Sequence, residues 1–452
     1  LAGSDIAYSA AFRQLGVIRV EDYDDLIDTA MMFSKIQLPV KNRVGIITGT
    51  GGGAIILADK ITKNGLDLPL LSERTKQKVS ESIVSFTSAK NPLDLTGQLY
   101  NDPKMFKDVI NIFVQDKNID VVIIIVSMAA GDRAENRASY IVEASSSANK
   151  PLITWWAAGS LSEPGLKILN KSNVTLFSSP DRCIKALKSI VDYTEYKKKV
   201  IDNKWQLVNG TPITCTTLSD RGGGKNNIFL KENVTEHESK LLISSYGIPV
   251  TREEIALSKE QACQIADNIG YPIVLKISSS QIAHKSEAGG IRLNLANRSE
   301  VLRAYKEIME SCRKSYPKKK VEMVLVQEMI KEGIEIIIGI TKDPTFGPMI
   351  IFGLGGIFVE IINDTSVRVL PISRKDAIEM VKETRGYKVL KGARKTEKSD
   401  INAIVDILLK LSKLGMDLEE YYHEIDLNPI MVFQAGRGAK VIDALIVPAT
   451  AR

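Results

Sequence analysis

The feature that most constrains the fold of this chain is Val121–Val126, VVIIIV, a run of six consecutive apolar residues. Such a run is typical of a central parallel strand that helices cover on both faces. Other short apolar runs with the character of strands are Val44–Thr48, Leu68–Leu71, Leu152–Trp155 and Val174–Phe177. Segments with helical periodicity separate them, at Ala54–Asn64, Arg133–Asn149 and Asp181–Val191. Strands that alternate with helices predict an α/β domain with a doubly wound parallel sheet.

Four segments are predicted along the chain. Residues 1–38 contain two helices with too little apolar surface for a domain, so we expect a helical remnant of a preceding subdomain. The doubly wound domain covers residues 39–200, and the polar, glycine-containing stretch 201–230 is a linker. Residues 231–452 are predicted to form an α+β domain, because strand-like runs follow one another with few helices between them. These runs are Ile273–Ile277, Glu322–Gln327, Ile334–Ile340, Met349–Phe352 and Val359–Ile362.

Composition excludes several functional classes. The 60 Lys and Arg residues exceed the 54 Asp and Glu residues only slightly and form no long block, so we expect no nucleic-acid partner. The longest apolar run, Val121–Ala130, is about half the length that a membrane-spanning helix needs, so we expect no membrane association. The four cysteines are widely spaced without a metal-binding pattern, which favours reduced thiols and a cytoplasmic location. Because the chain starts at Leu1 rather than Met, we expect a fragment of a longer protein.

A glycine-rich turn follows the first predicted strand and consists of Thr48, Gly49, Thr50, Gly51, Gly52 and Gly53. Such a turn exposes backbone N–H groups at a helix N-terminus, where the helix dipole favours an anion. The turn lacks the pattern of a dinucleotide fingerprint, and no Lys-Ser/Thr pair follows as in a P-loop. A tight strand-to-helix turn is the alternative. We favour an anion or substrate site, because ligands of doubly wound sheets bind at the strand C-termini.

A second motif is NPLDLTG at residues 91–97. Pro92 favours an extended turn, and Asp94 is expected at the end of a strand. Asp94 suits a contact with a ligand and a cap of the next turn equally well.

Lys276 lies in the apolar run Ile273–Ile277, where a lysine either extends to the surface or reaches an anionic ligand. The polar segment after this run contains His284. A histidine there can act as a base, a metal ligand or a phosphoryl acceptor, and a solvated loop histidine is the alternative.

The predicted strand that ends in Gln327, Glu328 and Met329 offers side-chain and backbone groups to the edge of an adenine ring. Glu335, at the start of the next apolar run, suits a ribose contact, or alternatively a surface position on an edge strand.

Acidic and amide side chains recur near the C-terminus. Period-two alternation places Glu424, Asp426 and Asn428 on one face of a strand, and Asp443 follows 15 positions after Asn428. Two strands that each place a carboxylate or amide at one end can hold Mg²⁺ together with nucleotide phosphates. Asp426 either binds the metal directly or contacts one of the residues that bind it.

Taken together, these motifs resemble the ATP-grasp domain of the ADP-forming acyl-CoA synthetases, relatives of succinyl-CoA synthetase. The resemblance covers nearly the whole chain. Its segments occur in the family's order and are YPIVLKI, AHKSEAGGI, LVQEM, GIEIIIG, DPTFGPMIIFGLGG, VEIINDTSVRVLP and EIDLNPIMV. The resemblance implies that a short-chain carboxylic acid, with or without a hydroxyl group, reacts with CoA and ATP to give acyl-CoA, ADP and phosphate. It also implies a requirement for Mg²⁺, and acyl-phosphate and phosphohistidine intermediates.

The resemblance also implies roles for the nucleotide-site residues. Lys276 would meet the ATP phosphates. The adenine pocket would be lined by Gln327, Glu328 and Met329, and Glu335 would contact the ribose.

Metal and transfer roles follow from the same resemblance. Asn428 and Asp443 would ligate Mg²⁺ with Asp426 beside them. His284 matches a family histidine that relays the phosphoryl group, and Arg368 would be a further contact.

Residues 39–200 resemble the flavodoxin-like ligase domain of the same family. The glycine-rich turn and the NPLDLTG motif, with Asn91 and Asp94, align with its substrate-facing loops. The family commonly has Thr-Asn-Ala-Gly-Gly at the turn, so the side-chain contact of that Asn is lost here while backbone donors remain. In the family the CoA-binding domain precedes the segment that begins this chain. We therefore expect a C-terminal portion that lacks the CoA-binding domain, and a homodimer.

Two alternatives remain. An ATP-grasp carboxylate–amine ligase would share the nucleotide site but needs no histidine relay. A non-catalytic module, or the synthetase-like part of a protein acyltransferase, would tend to lose the relay histidine, which this chain retains as His284.

Overall fold

A computed structural model describes ten stretches of the chain: residues 4–38, 41–83, 88–95, 102–157, 159–202, 234–278, 289–315, 323–355, 364–392 and 397–449. The chain forms two compact units. The first consists of residues 16–207, and the second combines residues 1–15 with residues 208–452. All but the first two residues of the predicted linker, 201–230, lie outside the described stretches, as does the predicted strand Val359–Ile362.

The helices that precede or belong to the first unit are α1 (Asp5–Leu15), α2 (Tyr23–Lys35), α3 (Gly51–Lys63), α4 (Glu73–Ser82), α5 (Pro103–Val114), α6 (Gly131–Ser147), α7 (Glu163–Asn170) and α8 (Pro180–Asp202). Its strands are β1 (Val44–Thr48), β2 (Leu93–Asp94), β3 (Val121–Ser127), β4 (Leu152–Ala157) and β5 (Thr175–Phe177). All neighbouring strands are parallel, in the order β2-β1-β3-β4-β5. This is the flavodoxin-like order of a doubly wound sheet, as predicted.

The central strand β3 is buried on both faces, which explains its unbroken apolar sequence. Val121, Ile123 and Ile125 pack in one core cluster with residues of α3 and α8. The intervening residues, including Val122 and Ile124, pack in a second cluster with residues of α5 and α6. The sheet therefore separates two cores, and its strand C-termini form the edge at which the glycine-rich turn begins.

The predicted strand Leu68–Leu71 is wrong, because the structure has no regular strand there. Pro69 has no N–H to donate to a ladder. Its carbonyl accepts a hydrogen bond from the side-chain amide of Asn91, and the carbonyl of Leu70 accepts one from Asn118. The strand beside β1 is instead β2.

The helices of the second unit that follow α8 are α9 (Glu236–Ser245), α10 (Lys259–Ile269), α11 (Arg298–Ser315), α12 (Arg374–Glu383), α13 (Tyr387–Leu390) and α14 (Ile401–Asp417). The first sheet contains β6 (Glu253–Ala256), β7 (Ile273–Ser278), β8 (Ile291–Leu295) and β9 (Met323–Glu328). The second sheet contains β10 (Ile334–Asp343), β11 (Gly347–Leu354), β12 (Thr365–Val369), β13 (Tyr422–Val432), β14 (Ala439–Val441) and β15 (Ala444–Pro448).

Both sheets of the second unit are antiparallel. The four-stranded sheet has the order β6-β9-β7-β8, and the six-stranded sheet has the order β12-β11-β10-β13-β14 with β15 paired to β13. Helix α14 contributes Ile404, Leu408 and Leu411 to the main core. The predicted α+β architecture is confirmed.

The N-terminal helix α1 belongs to the second unit, which differs from the prediction of one helical remnant over residues 1–38. The side-chain amide of Gln14 donates to the carbonyl oxygen of Val369 at 2.8 Å and accepts from its N–H at 2.9 Å. The ring of Tyr8 contacts that of Phe346 edge-on, with centroids 4.9 Å apart. Helix α1 thus covers the free edge of β12, where unpaired backbone groups would otherwise be exposed.

Within the described stretches, no helix combines the length and the apolar character that crossing a membrane requires.

Candidate functional site

The segment from β14 to β15 joins the two sheets of the second unit. The ammonium of Lys440 donates to Oε1 of Glu328 at 2.6 Å. Nε2 of Gln327 donates to the carbonyl oxygen of Ile442 at 3.1 Å. Because Gln327 and Glu328 end β9, these contacts bring the predicted adenine-site residues beside the predicted metal-site segment.

Lys276 of β7 lies at the same junction. Its Nζ is 2.7 Å from Oε1 of Glu236 and 3.6 Å from Oδ2 of Asp443. The side chain is 8% exposed, so the ammonium does not extend to the surface. Burial alone would lower its pKa, but the carboxylates of Asp443 and Glu236 outweigh burial and raise the pKa of Lys276. The site therefore holds a charged ammonium beside a candidate metal ligand.

A buried charge network lies behind Lys276. Lys240 is 1% exposed and donates to Oε1 of Glu236 at 2.9 Å, to Oε2 of Glu253 at 2.7 Å and to Oγ1 of Thr251 at 3.3 Å. Nδ1 of His237 lies 3.0 Å from Oε1 of Glu253. Sequence reasoning missed this network. Glu236 and Lys240 are four residues apart on α9, which is the spacing of an ordinary surface pair.

The predicted metal residues also converge. The backbone N–H of Asn428 donates to the carbonyl oxygen of Asp443 at 3.2 Å. Burial, together with the charges of Glu424 and Asp443, raises the pKa of Asp426 to about 6, although the side chain of Asn428 lowers it by hydrogen bonding. The predicted alternation is confirmed, since Asp426 is less buried than its neighbours Ile425 and Leu427 on β13.

This cluster has the composition of a Mg²⁺ site. In the described part of the chain, no group of three or more His, Cys, Asp and Glu side chains is arranged to hold a metal. The candidate set is instead two carboxylates, Asp443 and Asp426, with the amide of Asn428. Mg²⁺ typically takes one or two protein carboxylates and completes its shell with water and phosphate oxygens. Burial, with the negative charges of Glu424 and Asp443, raises the pKa of Asp426, and a divalent cation beside it would favour the charged carboxylate.

The predicted adenine residues differ in how their polar groups are used. Gln327 is 1% exposed, and its Oε1 has no hydrogen-bond partner among the described residues. Burial would raise the pKa of Glu328, but its bonds with Lys440 and Arg252 outweigh burial and keep the pKa low. The N–H of Met329 donates to the carbonyl oxygen of Pro272 at 3.1 Å. Gln327 is therefore the side chain of this group with an acceptor left for a ligand.

Glu335 has an exposed side chain near the start of β10. Its strand is not an edge strand, because β10 pairs with both β11 and β13. The exposed carboxylate lies within reach of solvent, as a ribose contact requires.

In the first unit, the glycine-rich turn connects β1 to α3. Oγ1 of Thr48 accepts from the N–H of Thr50 at 3.0 Å, and Thr50 caps the described helix without a side-chain hydrogen bond. Oδ2 of Asp94 lies 3.1 Å from where a Cβ on Gly51 would be. Apart from the adjacent residues and the backbone of its own helix, no described atom lies within 4 Å of the corresponding point on Gly52. The turn thus leaves open space at Gly52, beside helical N–H groups.

Asn91 has a structural role, and its predicted substrate contact stays a prediction. Its Nδ2 donates to the carbonyl oxygens of Val44 at 2.8 Å and Pro69 at 3.0 Å, and its Oδ1 accepts from the N–H of Ile46 at 2.9 Å. These bonds fix β1 against the segment before it.

Arg368 also has a structural role, and its predicted ligand contact stays a prediction. It is 2% exposed, and its guanidinium donates to Oε1 of Glu383 at 2.6 Å and to Oγ of Ser366 at 3.3 Å. Arg13 of α1 pairs with the other oxygen of Glu383 at 3.1 Å. This cluster secures α1 and α12 to β12.

His284 lies outside the described residues, as do Thr96 and Gly97 of the NPLDLTG motif. Its predicted role stays a prediction.

Two family models match the chain. The ATP-grasp domain model matches residues 230–447, and the Ligase-CoA domain model matches residues 44–149. The prediction that the chain lacks a CoA-binding domain is not confirmed, because the Ligase-CoA model matches within it.

Three curated relatives are similar over long segments. The chain is 34% identical over 441 residues to an ADP-forming acetate–CoA ligase of Archaeoglobus fulgidus. This match covers 96% of this chain and 61% of that protein. It is 31% identical over 450 residues to an ADP-forming 4-hydroxybutyrate–CoA ligase of Nitrosopumilus maritimus, covering 99% of this chain and 63% of that protein. The chain thus spans less than two thirds of the length of these two relatives.

The third relative matches over a shorter segment. It is the beta subunit of an ADP-forming acetate–CoA ligase II of Pyrococcus furiosus, 47% identical over 214 residues. The match covers 47% of this chain and 91% of that subunit.

Proposed function

The chain belongs to the family of ADP-forming acetate–CoA and acyl-CoA ligases with ATP-grasp and Ligase-CoA domains, and from that premise we propose that its enzyme interconverts a carboxylic acid, CoA and ATP with acyl-CoA, ADP and phosphate. One observation carries the proposal. A buried ammonium, Lys276, lies 3.6 Å from Asp443, at a junction that also contains Gln327. This arrangement offers a cation, a metal ligand and an adenine-facing acceptor to a single nucleotide.

Lys276 is the proposed partner of the ATP phosphates. Phosphoryl transfer depends mainly on positioning and on neutralising charge on the transferred group. Lys276 carries a positive charge that nearby carboxylates maintain, in a site from which most solvent is removed. Its ammonium has three N–H donors, of which Glu236 takes one, so donors remain for phosphate oxygens.

Asp443 and Asn428 are the proposed Mg²⁺ ligands, with Asp426 beside them. The bound ion would supply positive charge to the phosphate oxygens. Asp443 would hold the ion next to Lys276, so that two positive groups face the same phosphates.

Gln327 is the proposed hydrogen-bond partner of the adenine ring. Its buried Oε1 can accept a hydrogen bond from the exocyclic amine of adenine, and satisfying a buried acceptor favours binding. Glu328 would keep Gln327 and Lys440 in place, Met329 would line the pocket through its side chain, and Glu335 would meet the ribose.

The glycine-rich turn of the first unit is the proposed site of the acid and phosphate. The N–H groups at the N-terminus of α3 and the open space at Gly52 suit a small anion. Asp94 lies beside Gly51, so its carboxylate would disfavour an anion there and leave the side of Gly52.

His284 is the proposed phosphoryl carrier between the nucleotide and the acid, and this role rests on the motif AHKSEAGGI. The γ-phosphoryl group breaks its bond to ADP and bonds to a ring nitrogen, and it then leaves that nitrogen for a carboxylate oxygen of the acid. The CoA sulfur attacks the carbonyl carbon of the resulting acyl phosphate, which gives acyl-CoA and releases phosphate. In His284→Ala we expect ATP formation to be abolished while ADP still binds. Mass spectrometry measures the ATP formed, and calorimetry measures the binding of ADP. Normal ATP formation by this variant would refute the relay, and the absence of acid-labile phosphate on His284 in the wild type would favour a carboxylate–amine ligase.

The proposed acid is short-chain. Relatives named for acetate and for 4-hydroxybutyrate support this class. A substrate screen that follows ADP release with CoA and acids of two to six carbons tests it, and turnover with only aryl or long-chain acids would contradict it.

We further propose a cytoplasmic homodimer. Cys183, Cys263 and Cys312 are buried and unpaired, as in proteins of a reducing compartment. Light scattering tests the dimer, and a monomer across micromolar concentrations would contradict it.

A further inference from the structure

We infer that Glu236 is a positioning residue for nucleotide binding, which holds the ammonium of Lys276 where the phosphates need it. The inference rests on the proposed function, because it assigns Lys276 to the phosphates. Glu236 itself lies behind the lysine and acts through it.

The position of Glu236 is fixed by the start of α9. Thr235 and Glu238 form a capping box, in which each side chain binds the backbone N–H of the other residue. Glu236 is the first residue of this helix, and its side chain is 4% exposed. Its carboxylate is therefore held in a defined, nearly dry place before any ligand binds.

A single oxygen of Glu236 serves two lysines. Oε1 accepts from Lys240 at 2.9 Å and from Lys276 at 2.7 Å. The three donors of the Lys240 ammonium are matched by Glu236, Glu253 and Thr251. All three N–H donors of Lys240 thus have partners within the protein, whereas the ammonium of Lys276 also lies near the carboxylate of Asp443.

The buried charges balance. Lys240 and Lys276 contribute two positive charges, and Glu236 and Glu253 contribute two negative charges. Without the charge of Glu236, Lys276 would lose the carboxylate that its ammonium contacts at 2.7 Å, whereas Lys240 would keep its contact with Glu253. Lys276 would then move away from its place, and phosphate contacts would weaken while adenine contacts would not.

The test compares ADP with adenosine as probes on the full chain. Each competes with a fluorescent adenine nucleotide in the presence of Mg²⁺, for wild type and Glu236→Gln. This substitution keeps the shape of the side chain and removes its charge. We expect at least about tenfold weaker ADP binding, the effect of one lost charge-assisted hydrogen bond, with adenosine unchanged within about twofold. A parallel loss for both probes would overturn the inference, since it would indicate a structural defect.

Glu253→Gln is the matched control. It removes a second buried negative charge that contacts Lys240 and His237 but makes no hydrogen bond with Lys276 in the described structure. We expect ADP affinity to stay within about twofold of wild type. An equal loss of ADP affinity in Glu253→Gln would overturn the specific role of Glu236.

The double variant Glu236→Gln/Lys240→Met separates stability from positioning. It removes one negative and one positive charge, so the buried cluster stays neutral. We expect thermal stability to recover relative to Glu236→Gln while ADP binding stays weak. Recovery of ADP affinity would overturn the inference, and this variant decides the question if the single variant does not fold. Wild-type protein that binds neither probe would instead contradict the proposed function.

Discussion

The ammonium of Lys276 in β7 lies 3.6 Å from the carboxylate of Asp443, which belongs to the segment between β14 and β15. The pair joins the four-stranded sheet to the six-stranded sheet of the same unit. Binding of a nucleoside triphosphate requires both kinds of group: a cation such as Lys276 to contact the phosphates, and a carboxylate such as Asp443 to ligate the accompanying metal. The affinity of the site for nucleotides should therefore depend on both residues, in different ways.

Replacing Lys276 by Met should weaken ADP binding by about 30-fold, because one charge-assisted contact with phosphate contributes about 2 kcal/mol. Isothermal titration calorimetry with ADP and Mg²⁺ measures the change. The control is Lys382→Met, which removes an exposed lysine of α12 and should leave the affinity unchanged. Equal ADP affinity in Lys276→Met and wild type would contradict the assignment of Lys276 to the phosphates.

Asp443 should determine how much Mg²⁺ adds to stabilisation by ADP. Saturation at about 100 times the Kd stabilises a protein by about 2.7 kcal/mol, or a few degrees in Tm for a unit of this size. In wild type we expect a larger Tm increase from ADP with Mg²⁺ than from ADP with EDTA. In Asp443→Asn this difference should disappear, whereas Asp406→Asn, which removes an exposed carboxylate on α14, should retain it. A metal-dependent increase that persists in Asp443→Asn would place Mg²⁺ elsewhere.

The strands were predictable where local sequence alone determines burial. β1 has the predicted bounds Val44–Thr48, since its apolar run is bounded by Arg43 and Gly49. The predicted strand Leu68–Leu71 failed, because side-chain amides from distant residues bind its carbonyls. The helix α14 was not predicted, although Ile404, Leu408 and Leu411 have helical spacing.

The candidate site was predictable only in part. The alternation around Asp426 is local and could be predicted. The burial of Glu236 and Lys240 could not, because it depends on how Lys276 and Glu253 of separate strands pack against α9. The structural roles of Asn91 and Arg368 depend on tertiary hydrogen bonds in the same way.

The glycine-rich turn should separate stability from activity. Gly52 lies in the first turn of α3, and no described atom outside its own helix and adjacent residues lies within 4 Å of the position of an added Cβ. Gly52→Ala should therefore stabilise the first unit by up to about 1 kcal/mol through helix propensity. If the open space holds an anion, the same variant should raise the KM for phosphate in ATP formation by at least about tenfold.

Thermal unfolding and steady-state kinetics check the two effects of Gly52→Ala. Gly65→Ala is unsuitable as a control, since Gly65 has a φ of +69° that strains an L-residue. Ser147→Ala is a suitable control, because it introduces alanine at the C-terminal end of a different helix of the same unit, α6. An unchanged KM for phosphate in a stabilised Gly52→Ala variant would assign the turn a purely structural role.

The ion pair of Arg368 and Glu383 should make the stability of the second unit dependent on pH. The side chain of Arg368 is 3% exposed, and that of Glu383 is 31% exposed. Burial would raise the pKa of Glu383, but the hydrogen bond and charge of Arg368 outweigh burial and lower it below its ordinary value of 4.5. The folded state therefore favours the charged carboxylate, and the pair stabilises the fold only while Glu383 is ionised.

Glu383→Gln should destabilise the second unit by about 2 kcal/mol at pH 7, less than the ~3–5 kcal/mol for breaking a fully buried pair because Glu383 is partly exposed. A depressed folded pKa gives stability that is present above the unfolded pKa and is lost as pH falls through the folded pKa. The difference in Tm between wild type and Glu383→Gln should therefore be constant from about pH 5.5 to 8 and shrink below about pH 4.5.

Circular dichroism melts across this range measure the Tm difference, with the exposed Glu397→Gln as the control that should match wild type throughout. A Tm difference that is unaffected by acid would show that the substitution acts through packing rather than through the lost charge. For that reason the variant is best compared with Arg368→Met, which should converge with wild type over the same acidic interval.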